Sequence, residues 1–176
     1  MQGHNKNILI YLTTVFCLLF SVSCFAQPDT VKQSKKSIKE VNEKNKSINT
    51  GDPWTTRNVI MVDELELLLK KQGAEEAYIY QVGFSNLYSQ GHIKGALYEG
   101  PASKEEGLQK LKSSIKDLPR DKEIILYCGC CNWIDCPNIR PAFETVNKMG
   151  FKNVKVLYLL DNFTVDWMNR GLPVEK

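Results

Sequence analysis

Glu123-Ile-Ile-Leu-Tyr127-Cys128-Gly-Cys-Cys-Asn-Trp-Ile-Asp-Cys136-Pro-Asn-Ile-Arg140 is the stretch that decides the fold of this chain. It opens with an apolar run over residues 123–127, which is typical of a central parallel strand covered on both faces. A cysteine-rich loop follows this run. A helix is then predicted from about Arg140 or Pro141 to Met149, where Gly150 ends it. A strand, a loop and a helix in this order form the beginning of an α/β unit.

The segments on either side continue the same alternation of strands and helices. Strands are predicted at Ala77–Val82, near Leu97–Tyr98 and at 154–159, and helices at Asn58–Gly73, Phe84–Gln90, Glu105–Leu118 and 164–169. Between them, Gly91–Ala96 is predicted to be a turn. The pattern indicates an α/β fold with a mainly parallel central sheet.

The four cysteines of the loop are placed where an open α/β sheet binds ligands. Cys128 directly follows the apolar strand, and ligands bind beyond the carboxyl ends of such strands. Backbone N–H groups and the N-terminus of the next helix can stabilise a thiolate there. Structural disulfides close long loops, which cysteines at 128, 130, 131 and 136 cannot do. A buried, inert cysteine is the plain alternative.

The composition removes several classes of function. The 176 residues carry a net charge of only +3, so we expect no nucleic-acid partner. His4 and His92 are the two histidines, and His4 is at the extreme N-terminus. This count speaks against a Ser-His-Asp triad and against a multi-histidine metal site. Any chemistry must therefore come from sulfur or from carboxylates.

The N-terminal residues have the pattern of a secretory signal. Lys6 precedes an apolar run from Ile8 to Phe20, and small residues follow it up to Ala26. We expect residues 1–26 to be a signal peptide and the protein to be exported, to the periplasm or as a secreted protein. Lipidation at Cys24 is the alternative, and only that form would be anchored to a membrane.

A polar segment separates this leader from the folded part. Residues 27–53 are rich in Lys, Ser, Asn and Thr, with isolated apolar residues that are too sparse to bury. We expect a flexible linker over this range and one folded domain over residues 54–176. The domain length fits a single hydrophobic core.

Four segments of the domain, taken together, resemble one family. They are Gly91-His-Ile-Lys-Gly-Ala96, Ile124-Ile-Leu-Tyr-Cys128, Gly150-Phe-Lys-Asn-Val154 and Trp167-Met-Asn-Arg-Gly-Leu-Pro-Val174. In order and interval they resemble the rhodanese-like sulfurtransferases over roughly residues 56–175. The resemblance implies a rhodanese-like α/β fold in which helices flank both faces of the central sheet.

The resemblance also implies a chemistry for the loop. By position, Cys128 would be the catalytic residue that accepts a sulfane sulfur and becomes a persulfide. The loop amides and Arg140 would stabilise the anion. The implied substrate-binding residues are Gly129, Cys130, Cys131, Asn132, Trp133 and Arg140. The expected activity is that of a thiosulfate sulfurtransferase, from a small sulfur-containing donor to a thiol or cyanide-like acceptor, with no metal or organic cofactor.

The sequence departs from the family pattern in two places. The family's first strand usually ends Asp-x-Arg, whereas this chain has Gln81-Val-Gly83. The active loop is also longer than usual, because eleven residues separate Cys128 from Arg140. Substrate identity does not transfer across such a change. No cysteine has the Cys-x5-Arg spacing of phosphatase and arsenate-reductase loops, so phosphate chemistry is not expected.

The additional thiols leave two other functions open. Cys130, Cys131 or Cys136 could resolve Cys128 as a disulfide, which would make the chain a thiol–disulfide redox protein or sensor on a rhodanese scaffold. Four thiols can also bind Zn²⁺ or a softer ion, although two adjacent cysteines fit the usual paired geometry poorly. Sulfur transfer is the favoured interpretation, and no metal site is assigned.

Overall fold

The computed structural model describes residues 51–72 and 78–176, together with Lys39 and Asn42. The predicted signal peptide, the lipidation site Cys24 and most of the predicted linker lie outside the described residues. Among the helices that are described, none is both long enough and apolar enough to cross a bilayer.

Five parallel strands form the central sheet. They are β1 (Val59–Ile60), β2 (Tyr78–Gln81), β4 (Leu97–Tyr98), β5 (Glu123–Tyr127) and β6 (Asn153–Leu157). Their order across the sheet is β1-β6-β5-β2-β4, and every neighbouring pair is parallel. The apolar run of β5 is therefore the middle strand, as its lack of alternation predicts. A separate antiparallel pair joins β3 (His92–Ile93) to β7 (Val174–Glu175).

Helices cover both faces of this sheet. They are α1 (Val62–Gln72), α2 (Ser85–Gln90), α3 (Glu105–Ile115), α4 (Ile139–Lys148) and α5 (Phe163–Asp166), with short 3-10 turns at Thr56–Asn58 and Met168–Arg170. Ile124 and Leu126 of β5 share a hydrophobic cluster with α3 and α4. Ile125 and Tyr127 share the other cluster with α1 and α5. Successive side chains of one strand thus face two different cores, and the predicted α/β class is confirmed.

The predicted helix at Asn58–Gly73 is wrong at its beginning. Val59–Ile60 is a strand, and its pairing to β6 aligns Val59 with Val156 and Ile60 with Leu157. Two β-branched residues beside a buried strand gain more from pairing than from a helical turn. The helix begins at Val62, where Glu64 accepts a hydrogen bond from the Met61 N–H at 2.8 Å. Its predicted end at Gly73 lies outside the described residues.

The other predicted elements are present with shifted ends. The helix predicted to reach Leu118 ends at Ile115, and the strand predicted to reach residue 159 ends at Leu157. The predicted turn at Gly91–Ala96 contains β3, because His92 and Ile93 pair with Glu175 and Val174 near the C-terminus. A partner that far along the chain cannot be inferred from local pattern.

Candidate active site

The carboxyl ends of β2 and β5 lie side by side and position the candidate site. Gln81 and Tyr127 are aligned in the parallel register of these two strands. The next residue on β5 is Cys128, whose carbonyl accepts a 2.8 Å hydrogen bond from the Gln81 side chain. Gly129 then turns the chain with a φ of +87°, a left-handed conformation that glycine adopts at little cost. The loop therefore leaves the sheet directly after the cysteine.

Two sulfurs and one amide nitrogen surround the sulfur of Cys128. Cys128 is buried, at 4 % exposure, and its Sγ lies 3.2 Å from the Sγ of Cys130. The side-chain amide of Asn138 donates a hydrogen bond to the same sulfur, also at 3.2 Å. Cys136 brings a third thiol, and the Sγ atoms of Cys128, Cys130 and Cys136 all lie within 4.8 Å of one another.

This environment favours the thiolate form of Cys128. Hydrogen bonds from the Cys130 thiol and then from the Cys136 thiol lower the pKa of Cys128 to about 3, although burial acts in the opposite direction. The backbone N–H of Cys130 and the Asn138 side chain contribute in the same sense. The reverse effect holds for the donors, since the hydrogen bond to Cys128 raises the pKa of Cys130 and raises that of Cys136 to about 12, and burial acts in the same direction. One thiolate held by neutral thiols is the stable arrangement.

Asn138 is a site residue that the sequence analysis missed. Its side chain is fully buried and joins two segments, because its oxygen accepts from the Ser103 N–H at 2.9 Å while its nitrogen donates to Cys128. It also immediately precedes α4. The signal available in the sequence was a polar residue just ahead of a predicted helix, which usually indicates only a helix cap.

Gly83 explains one departure from the family pattern. A Cβ at this position would lie 2.5 Å from the carbonyl oxygen of Cys128 and 3.0 Å from its sulfur. Both distances are too short for a side chain to be accommodated without a shift. Its N–H also contacts the Gln81 side chain, at 3.3 Å. The Gln81-Val-Gly83 sequence therefore supports Cys128 through an amide contact and a close backbone approach.

A small, mostly apolar cavity adjoins the cysteine. Its free volume of about 10 Å³ is close to that of one water molecule. The residues that line it are Cys128, Gly129, Cys131, Trp133, Cys136, Ile139, Leu157 and Leu159. Four of the predicted substrate-binding or resolving residues, namely Gly129, Cys131, Trp133 and Cys136, thus meet around one space. Cys130 and Arg140 are not among its described lining residues.

Arg140 braces the loop. Its guanidinium contacts the carboxylate of Asp52 at 2.9 Å through Nε and at 2.6 Å through Nη2, and that carboxylate is only 2 % exposed. The third nitrogen of the same guanidinium, Nη1, donates to the carbonyl of Ile134 at 2.9 Å. The charge of Arg140 is thus paired and directed at loop backbone. The substrate-binding role expected for it stays a prediction.

Other loop residues hold the loop in shape. Trp133 is buried and stacks on Trp54, with ring centroids 5.2 Å apart. The Asn132 side chain contacts both the backbone and the carboxylate of Asp135, at 3.0 and 2.9 Å. The backbone N–H groups of Trp133, Asp135 and Cys136 are engaged within the protein. Among the loop amides, the backbone N–H of Cys130 is the one that lowers the pKa of Cys128.

The three thiols of Cys128, Cys130 and Cys136 also form a candidate metal donor set. Thiolates bind Zn²⁺ and softer ions such as Cu⁺, and the three Sγ atoms are close enough to share one ion. The close sulfur pair formed by Cys128 and Cys130 fits that use less well, because 3.2 Å is shorter than the separation of two thiolates around one zinc ion with bonds of about 2.3 Å.

Comparison with known proteins places this arrangement in a family context. The family model described as Rhodanese-like domain matches residues 61–168. The BH2092 protein of Bacillus halodurans has a similar structure, with a TM-score of 0.51 and 21% identity over 81% of this chain and 85% of that one. The rhodanese-like domain of the Anabaena protein Alr3790 gives a TM-score of 0.48 and 21% identity over 67% and 78%. A search of curated proteins finds no match.

Proposed function

Since the chain belongs to the rhodanese-like domain family, we propose that it is a sulfurtransferase in which Cys128 carries sulfane sulfur as a persulfide. The observation that carries this proposal is the position of one buried sulfur at the carboxyl end of the central strand. That sulfur receives hydrogen bonds and adjoins a cavity about the size of one water molecule. Family membership supports sulfur transfer as the class of activity, and the geometry of the site supports Cys128 as the residue that carries the sulfur.

The proposed reaction has two displacement steps. With thiosulfate as donor, the Cys128 thiolate attacks the outer sulfur and sulfite leaves with the electron pair of the broken S–S bond. The product is a Cys128 persulfide anion. An external thiolate or cyanide then attacks the terminal sulfur, and the Cys128 thiolate is the leaving group. No change in the cysteine's own oxidation state accumulates over a full cycle.

The cavity explains how a persulfide would be held. Its apolar walls, which include Ile139, Leu157 and Leu159, exclude water from the terminal sulfur. The remainder of the donor must stay outside, because about 10 Å³ has no room for it. Since the charge of Arg140 is already paired with Asp52, we expect polysulfides to load Cys128 at least as well as thiosulfate. The leader at residues 1–26 supports a location outside the cytoplasm, with anchoring through Cys24 as the alternative.

Intact mass spectrometry tests the proposal. The reduced protein is desalted under nitrogen and treated with one equivalent of thiosulfate or of polysulfide, and released sulfite is measured in parallel. We expect the Cys130→Ser variant, which cannot form a Cys128–Cys130 disulfide, to gain one sulfur atom on Cys128. Cyanide should remove that sulfur as thiocyanate. The Cys128→Ser variant is the matched control and should gain nothing.

Two results would contradict sulfur transfer by Cys128. No mass gain and no sulfite with any sulfane donor would remove the activity and leave a dithiol protein on a rhodanese scaffold. Equal loading of Cys128→Ser would assign the chemistry to another thiol. The three-thiol cluster also supports metal binding as a second candidate function, and stoichiometric zinc or copper retained through a chelator wash would favour it.

A further inference from the structure

Cys130 has a position that simple sulfur transfer does not require. Its sulfur lies 3.2 Å from that of Cys128 on one side and 3.1 Å from that of Cys131 on the other. Persulfide formation and transfer to an outside acceptor need only Cys128. The Cys130 thiol stabilises the Cys128 thiolate as a hydrogen-bond donor, but its own sulfur has no role as a nucleophile in that reaction.

The cavity distinguishes Cys130 from the other two thiols. Cys131 and Cys136 line the cavity beside Cys128, and Cys130 is not among its described lining residues. A terminal persulfide sulfur that occupies the cavity would lie next to Cys131 and Cys136. Cys130 would instead face the inner sulfur, which is the original Sγ of Cys128. Thiol–disulfide displacement requires the incoming and outgoing sulfurs to lie on opposite sides of the sulfur attacked.

We propose that Cys130 is a resolving catalytic residue, which attacks the inner sulfur of the Cys128 persulfide and expels the terminal sulfur as hydrosulfide. This proposal rests on the persulfide of the proposed function. The bond between the inner and terminal sulfurs breaks, and its electron pair leaves with the terminal sulfur. A bond forms between Cys128 and Cys130, and the thiol proton of Cys130 leaves on the hydrosulfide. Two thiol sulfurs are oxidised to a disulfide, and one sulfane sulfur is reduced to sulfide.

The local backbone makes this disulfide feasible. Only Gly129 separates the two cysteines, and its left-handed conformation already turns the chain so that both sulfurs meet. Closing the bond requires the sulfurs to approach from 3.2 Å to about 2.05 Å, a movement within the range of side-chain rotation. Cys131 follows Cys130 directly and contacts Cys130, so it offers no comparable approach to the inner sulfur.

The consequence is a different overall activity. The chain would convert donor sulfane sulfur to hydrosulfide and would finish each turnover as a Cys128–Cys130 disulfide. An external dithiol must then reduce that disulfide before the next turnover, by ordinary thiol–disulfide exchange. The partner implied is therefore a dithiol reductant protein, in place of a terminal sulfur acceptor.

A single-turnover experiment without reductant separates this proposal from the persulfide proposal. The full chain is reduced, desalted under nitrogen and mixed with one equivalent of thiosulfate. Sulfite and sulfide are quantified after acid quench, and intact mass is recorded. For the unsubstituted protein we expect one sulfite and one sulfide per chain, a loss of two hydrogens, and a Cys128–Cys130 cross-link in peptide mapping. For Cys130→Ser we expect one sulfite, no sulfide and a retained sulfur on Cys128.

The control variant is Cys131→Ser, which keeps the Cys128–Cys130 pair and should still yield sulfide and the disulfide, whatever its loading rate. The proposal is overturned if the unsubstituted protein keeps the added sulfur and releases no sulfide, a result that leaves the persulfide function intact. It is also overturned if Cys130→Ser releases sulfide as fast as the unsubstituted protein does. Absence of sulfite from every variant would instead refute the persulfide function itself, and the resolving step with it.

Discussion

At the scale of single residues, the site depends on how one sulfur is surrounded. A cysteine buried among apolar groups ordinarily keeps its proton, because burial penalises the charged form. Cys128 differs because neighbouring thiols and the Asn138 amide direct hydrogens at its sulfur. The apolar cavity lies beside it, and the hydrogen-bond donors supply what solvent would otherwise supply.

The pH dependence of the thiolate follows from this arrangement. Because the pKa of Cys128 is lowered to about 3, the charged form persists as the pH falls and is lost only near that value. We expect the thiolate absorbance near 240 nm, taken as the difference from Cys128→Ser, to be present at pH 5 as fully as at pH 7. An unperturbed thiol, with a pKa of about 8.5, would show less than a hundredth of that signal at pH 5.

The Asn138→Ala variant provides a second test of the Cys128 thiolate by the same absorbance measurement. Loss of the amide hydrogen bond should shift the onset of the absorbance to higher pH, while the total thiol count stays unchanged. A difference spectrum that appears only above pH 8 in the unsubstituted protein would contradict the thiolate assignment.

At the scale of elements, the parallel neighbours β2 and β5 determine where the loop begins. Gln81 binds the carbonyl of Cys128, and Gly83 lets that carbonyl and sulfur approach closely. Both contacts cross from one strand end to the next, and Gln81 and Cys128 are 47 positions apart in the sequence. The geometry of the reacting residue therefore depends on strand pairing as well as on the loop.

Substitution of Gly83 tests this close approach. Gly83→Ala places a methyl group 2.5 Å from the Cys128 carbonyl oxygen, so we expect a loss of about 1–3 kcal/mol in the free energy of unfolding by urea, as for other overpacking changes. Sulfur loading measured below the unfolding transition should fall at least tenfold. Gly51→Ala is the matched control, because nothing lies within 4 Å of its Cβ, and its effect should stay within about 0.5 kcal/mol. Unchanged loading in Gly83→Ala would show that the loop is not sensitive to this contact.

Element prediction from the sequence succeeded where periodicity extended over several turns. The helix of Glu105–Ile115 carries apolar residues at spacings of three and four, and the last four residues of β5, Ile124 to Tyr127, form an unbroken apolar run. The two-residue strands β1, β3 and β7 are too short to show a period. Each exists because its partner lies far along the chain, so local patterns could not reveal it.

The residues of the site also fall into two groups, those that the local sequence indicates and those that only the packing of separate segments reveals. The sequence was enough to predict that Cys128 follows the central strand directly and that Cys130 and Cys131 lie near it. The contacts of Gln81, Gly83 and Asn138 with Cys128 arise from packing between separate segments, and no spacing rule encodes them. The pairing of Arg140 with Asp52 is also non-local, because the two residues are 88 positions apart in the sequence. A positively charged residue at the end of such a loop is interpreted as an anion ligand as long as its ion-pair partner is unknown.

At the scale of the whole molecule, the described N-terminal residues are part of the site's support. Asp52 pairs with Arg140 at the end of the loop, and Trp54 stacks on Trp133 within it. Trp54 also packs edge-on against Phe143 of α4, with ring centroids 5.5 Å apart. One short segment therefore contacts the loop and the helix that follows it.

Removing the Asp52 carboxylate tests this support. Asp52→Ala leaves the guanidinium of Arg140, which is 29% exposed, without this partner. We expect about 2 kcal/mol of destabilisation, between the values for surface and buried pairs, and faster hydrogen exchange of the amides in residues 129–139. Glu144→Ala, which breaks an exposed pair with Lys148, should cost about 0.5 kcal/mol or less and leave loop exchange unchanged. Identical exchange profiles for the two variants would remove Asp52 from the loop's support.

The contacts of Asp52 and Trp54 also bear on where this domain can be cut. The family match begins at residue 61, and a fragment excised at that point would lack the Arg140 partner, the indole stacked on Trp133 and the strand Val59–Ile60. At the other end, a cut after residue 168 would remove the carbonyl of Pro173 that accepts from the Trp167 indole, together with the strand that pairs with His92–Ile93. The residue range of the family match therefore omits segments at both ends that make these contacts. A recombinant fragment trimmed to the family boundaries would keep all four loop cysteines and the strands β2, β4, β5 and β6, while losing the contacts of Asp52 and Trp54 that support the loop.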